Sequence, residues 1–200
     1  TNPKFLLNII DKTKCTSWFS VPSMLIFLDT MKVISKNNLK SIKRFIFGGE
    51  GYPKSKLKRL YDAYQENANI YNVYGPTECT CICSSYLISS EDFLDLKGLP
   101  PLGFISDNFD YLILDSVNQD EKVKEGEVGE LCLLGPNLGK GYYNDHERTS
   151  VNFIQNPFNG NYVEMIYKTG DMVSFNSKDK KIYFHGRKDN QIKHMGYRIE

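Results

Sequence analysis

The sequence predicts an α/β portion built on a parallel βαβ arrangement, followed by an antiparallel β portion folded as a distorted barrel. Three observations point there. In the first half, apolar positions recur at helical spacing between short β-branched and aromatic runs, and strand, helix, strand in these lengths makes a parallel βαβ unit. After about residue 96 helical periodicity becomes scarce, and short β runs are divided by Gly- and Pro-containing turns. Between the two lies "LKGLPPLG", with the texture of a linker. The expected division is therefore an α/β subdomain over 1–95, a barrel-like β subdomain over 96–186, and a closing segment over 187–200.

Taken in order, Phe5, Leu6, Ile9 and Ile10 keep helical spacing behind Pro3, which suits a first helical turn. "CTSWFSV" reads as a short strand ended by Pro22, and Met24, Leu25 and Leu28 begin a second helix. "RFIFGGE" is an apolar run closed by two glycines, the profile of a buried strand and tight turn. Pro53 opens a helix whose Leu57, Leu60, Tyr61 and Tyr64 share one face. "NIYNVY" is the next strand. It stops at Gly75-Pro76 and resumes as "CTCIC", in which Cys79, Cys81 and Cys83 would point to one face of a strand. The second half offers "YLIL", "GELCLL", "MIYKTGDMVSF" and "KKIYFHGR" as strands, with a short helix in "DHERTSVNF".

Composition excludes several classes of function. With Lys+Arg 25 against Asp+Glu 24, the net charge of +1 gives no general attraction for nucleic acid or an acidic membrane. No apolar run approaches the roughly 20 residues that span a bilayer, and "TNPKFLLNII" lacks the layout of a signal peptide. The five cysteines include no C-x2-C pair with a second pair or histidines to complete a metal site. Those in "CTCIC" are read as core residues in a reducing, cytoplasmic protein. His146, His185 and His194 share no spacing that suggests a site. There is no G-x-S-x-G elbow, no G-x-x-x-x-G-K-[ST] loop and no G-x-G-x-x-G fingerprint.

What remains is a set of corners: Gly48-Gly49-Glu50, Gly75-Pro76-Thr77-Glu78, Thr169-Gly170-Asp171 and Gly186-Arg187-Lys188-Asp189. Each sets glycine beside a charged residue near a predicted strand end. Ligands of parallel sheets sit beyond the carboxyl ends of the strands, where "FGGE" and "YGPTE" would lie. A tyrosine face can stack on a base, an aspartate can accept from sugar hydroxyls, and a glutamate can hold Mg2+. A threonine hydroxyl and an arginine can meet phosphate. Singly each corner reads as an ordinary turn; together they match a magnesium nucleotide.

Four segments in order resemble the adenylate-forming (ANL) superfamily: "NVYGPTECT", "GELCLLGPNLGKGYYN", "YKTGDMV" and "GRKDNQIKHMGYRIE". The similarity runs from about residue 45 to the last residue. It is strongest toward the amino-acid-activating branch and its D-alanine–carrier-protein ligases, in "QIKHMGYRIE", "LPPLGFISDNFDYLIL" and "WFSVPSML". One departure is Gly48, where those ligases have a cysteine shaping a small pocket, which argues against D-alanine itself.

The resemblance implies a two-step reaction with ATP and Mg2+: a carboxylic acid, an amino acid in this branch, becomes an acyl-adenylate, and a thiol then accepts the acyl group. The acceptor would be a phosphopantetheinyl carrier protein or CoA; an acyl-CoA synthetase acting on a fatty or aryl acid is the alternative. Glu78 resembles the Mg2+ ligand and Thr77 the phosphate-contacting hydroxyl. Tyr74 and Gly75 would lie against adenine, Asn72 would bond its amino edge, and Glu50 would be nearby through its backbone. Asp171 would accept the ribose hydroxyls, Arg187 would support ribose and phosphate, and Asp189 would be a hinge. Lys193 and Gly196 would belong to the thioester-step loop. The family's phosphate loop, its ammonium-binding Asp and its C-terminal catalytic Lys have no counterpart here, so the chain is expected to be a piece of a longer enzyme, inactive by itself. A non-catalytic relative would have lost Glu78, Asp171 or Arg187, and all three stand.

Overall fold

Asn2 starts helix α1 (Pro3–Thr13) by accepting from the amides of Lys4 and Phe5 at 3.0 and 3.4 Å, and Pro3 takes the first turn, where a missing N–H is harmless. Of the 200 residues, the computed structural model describes 2–189, 191–194 and 196–199. Contacts divide the chain into two compact units, one of Thr1–Val73, Tyr86–Pro100 and Ile192–Glu200, the other of Tyr74–Ser85 and Pro101–Gln191.

In the first unit, β1 (Ser17–Ser20), β2 (Arg44–Gly48) and β3 (Asn69–Tyr74) run parallel in that order, with α2 (Pro22–Thr30) and α3 (Lys54–Tyr64) as crossovers. The register sets Trp18 against Phe45 and Phe47 against Asn72. Leu25 and Leu28 of α2, Phe45 and Phe47 of β2, and Leu57, Leu60 and Tyr64 of α3 form one buried core. This is the predicted βαβ arrangement, and the faces read from sequence for α2 and α3 are the ones that pack on the core, whereas in α1 only Ile10 is buried and Phe5 and Ile9 are exposed. Strand β4 (Ser84–Leu87) is followed by Ile88, whose amide donates to the carbonyl of Ile70 at 2.8 Å. A short 3-10 turn at Ser90–Phe93 and a hairpin of β11 (Ile192–His194) and β12 (Tyr197–Ile199) complete this unit.

The second unit is an antiparallel sheet in the order β10-β9-β7-β6, from β6 (Asp110–Leu114), β7 (Gly129–Leu134), β9 (Met165–Asn176) and β10 (Lys181–Arg187). Strand β8 (Phe153–Gln155) adds to β9 after helix α4 (His146–Asn152), and β5 (Phe104–Ile105) pairs with Ser84 and Ser85. Leu131 and Leu133 of β7 enter one apolar cluster while Cys132 and Leu134 enter another. Burial on both faces is why "GELCLL" is continuously apolar.

Two expectations change. Among the described residues the antiparallel sheet is open, not a closed barrel: beyond β7, the outer side of β6 meets only an isolated bridge from Leu114 to Lys122. The "CTCIC" segment is not a strand. Cys79 ends a 3-10 turn (Thr77–Cys79), Thr80 and Cys81 take positive φ (58° and 81°), and only Cys79 and Cys83 are buried while Cys81 is exposed. The tight turn overrides the alternation, because a Cβ on Gly75 would stand 1.6 Å from the Cys81 carbonyl oxygen. The five cysteines are free thiols, and no described helix is long and apolar enough to cross a membrane.

Candidate functional site

In the second unit the segment "YKTGDMV" is not a corner at a strand end, as its glycine suggested, but a kink inside β9. Opposite β7 the register jumps from Glu130↔Met172 to Cys132↔Lys168, so Thr169, Gly170 and Asp171 share the space of Leu131. Gly170 turns at φ +72°, and its amide donates to Glu130 Oε1 at 3.1 Å. The Thr169 hydroxyl donates to the Leu131 carbonyl at 2.7 Å and accepts from the Asp171 amide at 3.0 Å. This web satisfies the backbone that the kink frees and fixes the direction of Asp171.

A second irregularity, at His185 of β10, brings Arg187 directly across from Asp171. Arg187 Nη1 donates to Asp171 Oδ1 at 2.8 Å, and the Tyr74 hydroxyl donates to Asp171 Oδ2 at 2.5 Å. Arg187 also makes a two-point contact with Asp189, Nε to Oδ1 at 2.7 Å and Nη2 to Oδ2 at 2.6 Å. Asp171 is only 3% exposed. A carboxylate buried that deeply is tolerated because a cation and a hydroxyl meet its oxygens. Burial, then the charge of Asp171, pushes the Tyr74 phenol well above its ordinary value, so it remains a donor. Thus three predicted site residues, Tyr74, Asp171 and Arg187, meet in one cluster.

Thr77 and Glu78 form a neighbouring group in the same unit. The loop 135–145 straps their 3-10 turn: the Gly139 amide donates to the Glu78 carbonyl at 2.7 Å, and the Thr80 hydroxyl to the Asn137 carbonyl at 2.8 Å. The Tyr142 hydroxyl donates to Glu78 Oε1 at 2.7 Å, and Tyr167 interacts with both Tyr142 and Glu78. Burial above all, with these contacts, raises both phenols above the ordinary tyrosine value. Gly75 does permit a close approach, but of the chain's own Cys81.

In the first unit Glu50 Oε2 accepts from the Ser23 amide at 3.2 Å, in the first turn of α2, where Val21 supplies no side-chain cap. Its charge there favours the positive helix end. Its other oxygen accepts from the Gly196 amide. Asn72 is buried in β3 across from Phe47. Gly48 is held glycine by its neighbour, since a Cβ would lie 2.4 Å from the Val73 carbonyl oxygen. Lys193 lies in β11; its side chain is outside the described residues. The sequence alone assigns no role to Tyr142 or Tyr167; the one signal is a tyrosine in the glycine-flanked "GKGYYN" loop, which bears on Tyr142 and not on Tyr167 inside β9.

Residues 1–143 match the AMP-binding enzyme family. The chain belongs to that family. Relatives include tyrocidine synthase 3 of Brevibacillus parabrevis, 38% identical over 160 residues, which are 80% of this chain and 2% of that protein. A D-alanine--D-alanyl carrier protein ligase of Listeria monocytogenes is 36% identical over 201 residues, spanning 100% of this chain and 37% of the ligase. Among solved structures, holo-PA1221, an NRPS protein containing adenylation and PCP domains bound to a vinylsulfonamide inhibitor, aligns with a TM-score of 0.85 at 26% identity. That match covers 100% of this chain and 33% of the other. The Vibrio cholerae adenylation domain AlmE, in complex with glycyl-adenosine-5'-phosphate, aligns at 0.79 and 26% over 96% of this chain and 35% of its own. This AMP-binding family member therefore has the adenylation-domain fold over its described length and spans little more than a third of the ligases it matches.

Proposed function

We propose that the chain is part of an enzyme that activates an amino acid with ATP and passes it to a carrier-protein thiol. The substrate carboxylate would attack the α-phosphorus as pyrophosphate leaves, and the thiol sulfur would then displace AMP from the acyl carbon with release of its proton. The observation that carries this reading is Asp171: a buried acceptor, aimed by Tyr74 and Arg187 from separate segments, in a family that binds AMP. Such preorganisation suits the ribose hydroxyls. A nucleotide so held gives the attacking carboxylate a fixed target, and alignment is most of what the first step requires.

The residues also fit a magnesium ion shared with nucleotide phosphates. Glu78 offers hard oxygen donors, and among the described residues no group of three or more His, Cys, Asp or Glu could hold a metal alone. One or two carboxylates plus substrate phosphate is the usual way Mg2+ is held. When bound, the ion would neutralise phosphate charge. In this reading Thr77 and Arg187 meet phosphate oxygens, Tyr74 and Gly75 border the adenine with Asn72 and Glu50 beside it, and Asp189 is the hinge. Lys193 and Gly196 serve the thioester step. The setting would be the cytoplasm.

Isothermal titration of AMP into this chain tests the proposal. The parent is expected to bind, and Asp171→Asn to weaken binding by about 10- to 100-fold, the worth of a hydrogen bond to a charged acceptor. No nucleotide binding by the parent, or equal binding by both proteins, would sink it.

A further inference from the structure

Loop 135–145 does more than cover the Thr77–Cys79 turn. Three of its contacts converge on one residue and its neighbours: the Gly139 amide on the Glu78 carbonyl, the Asn137 carbonyl on Thr80, and the Tyr142 hydroxyl on Glu78 Oε1. Tyr142 is itself held from several sides. Its amide donates to Thr149 Oγ1 at 2.8 Å, tying it to α4, and the Asp145 side chain caps that helix by accepting from the Arg148 amide at 3.0 Å. The Arg148 guanidinium stacks 4.5 Å from the centre of the Tyr142 ring, and Phe153 packs edge-on against it at 5.7 Å. Gly141, at φ +132°, leaves no room for a side chain, since a Cβ would stand 2.4 Å from Thr149. A phenol fixed this firmly has little freedom left to lose when it bonds a carboxylate. Tyr167, in β9 beside Phe153, reaches the same two residues from the sheet.

We infer that Tyr142, supported by Tyr167, is a positioning residue that holds the Glu78 carboxylate in the orientation that receives the nucleotide's divalent cation. This rests on the adenylate-forming reading of Glu78 given above. A glutamate has three side-chain torsions, and an unrestrained one would have to be ordered by each incoming metal. The phenol, donating to one carboxylate oxygen, has done that ordering beforehand. The relation is that of an outer partner to a metal ligand, whose loss typically lowers metal affinity 10- to 100-fold. The tie to α4 adds that the orientation depends on a helix well away in sequence, through Thr149.

The probe is Mn2+, titrated by electron paramagnetic resonance into the 200-residue chain in the presence of saturating α,β-methylene-ATP. Tyr142→Phe, which keeps the ring, its stacking on Arg148 and its packing on Phe153, is expected to weaken Mn2+ binding about tenfold. AMP binding, which needs no metal, and the thermal midpoint serve as the measures of an intact fold. In a Glu78→Gln background the same substitution is expected to change nothing further, a non-additivity that a merely structural tyrosine would not produce. Mn2+ binding by Tyr142→Phe within twofold of the parent overturns the inference and leaves the proposed function standing. Absence of metal-dependent nucleotide binding in the parent overturns both.

Discussion

Arg187 holds two carboxylates at once, and geometry and burial rank them oppositely. Toward Asp189 it makes the two-point contact at 2.7 and 2.6 Å; toward Asp171 it makes one hydrogen bond at 2.8 Å. Geometry alone would make Asp189 the stronger partner. The Asp189 side chain, however, is 52% exposed, and that of Asp171 is 4% exposed. An exposed pair contributes about 0–1 kcal/mol, whereas removing one partner of a buried pair costs about 3–5 kcal/mol, because a charge is left stranded. Tyr74 still serves Asp171 after Arg187 is removed, which puts Arg187→Gln near 3 kcal/mol on the same scale, about the low end. Asp189→Asn, which keeps an oxygen for the Gln191 amide, should cost less than about 1 kcal/mol. Arg187 is raised above its ordinary value first by its hydrogen bonds to Asp189 and then, against desolvation, by Asp171. That ranking does not bear on stability at accessible pH, where the guanidinium is charged folded and unfolded.

Native-state amide exchange in β9 and β10 reads these losses within the unit concerned, without assuming that the whole chain unfolds in one step. Protection of the slowest amides should fall about a hundredfold in Arg187→Gln and less than about fivefold in Asp189→Asn, at tenfold per 1.4 kcal/mol. Equal losses, or a larger loss in Asp189→Asn, would refute the reasoning that burial outranks geometry here.

Two further outcomes are expected. Gly75→Ala should cost more than about 3 kcal/mol, because its Cβ would collide with backbone at Cys81, whereas Gly126→Ala, at φ +78° with open space around it, should cost only about 1–2 kcal/mol; urea unfolding of the two variants compares them, and similar losses would discredit the tight turn. Cys79, Cys83 and Cys132 are each pushed up to about 12, in every case first by burial. Unfolded thiols titrate near 8.5, so the folded chain keeps protons that the unfolded one releases. The thiol contribution is therefore whole below about pH 8.5 and is lost as pH rises toward 12, at up to about 1.4 kcal/mol per pH unit for each thiol. Denaturation between pH 8 and 9.5 should show that decline, and Cys132→Ala should make it shallower; an unchanged slope would count against the buried thiols as its source.

Local signals were enough for every element whose pattern is set by its own neighbours. Pro3 marks the start of α1, and Leu57, Leu60, Tyr61 and Tyr64 mark the buried side of α3, because one helix face and one core decide them. "CTCIC" misleads because its alternation is real in sequence but loses to Gly75, whose missing side chain lets the chain fold back on Cys81. "YKTGD" looked like a corner since glycine beside aspartate usually is one; that it kinks inside a twelve-residue strand depends on the register of β7, which no window of neighbouring residues contains. Which charged residues face one another is equally non-local. The hydroxyl that meets Asp171 comes from 97 residues upstream and the one that meets Glu78 from 64 residues downstream. This separation follows from the chemistry of burial. A carboxylate shielded from water needs donors fixed before it arrives, and a donor on the same short loop would move with it. Donors from another strand and from a loop tied to a capped helix cannot, so the rigidity that would make these two acidic groups useful to a ligand is the property that hides their partners from a linear reading.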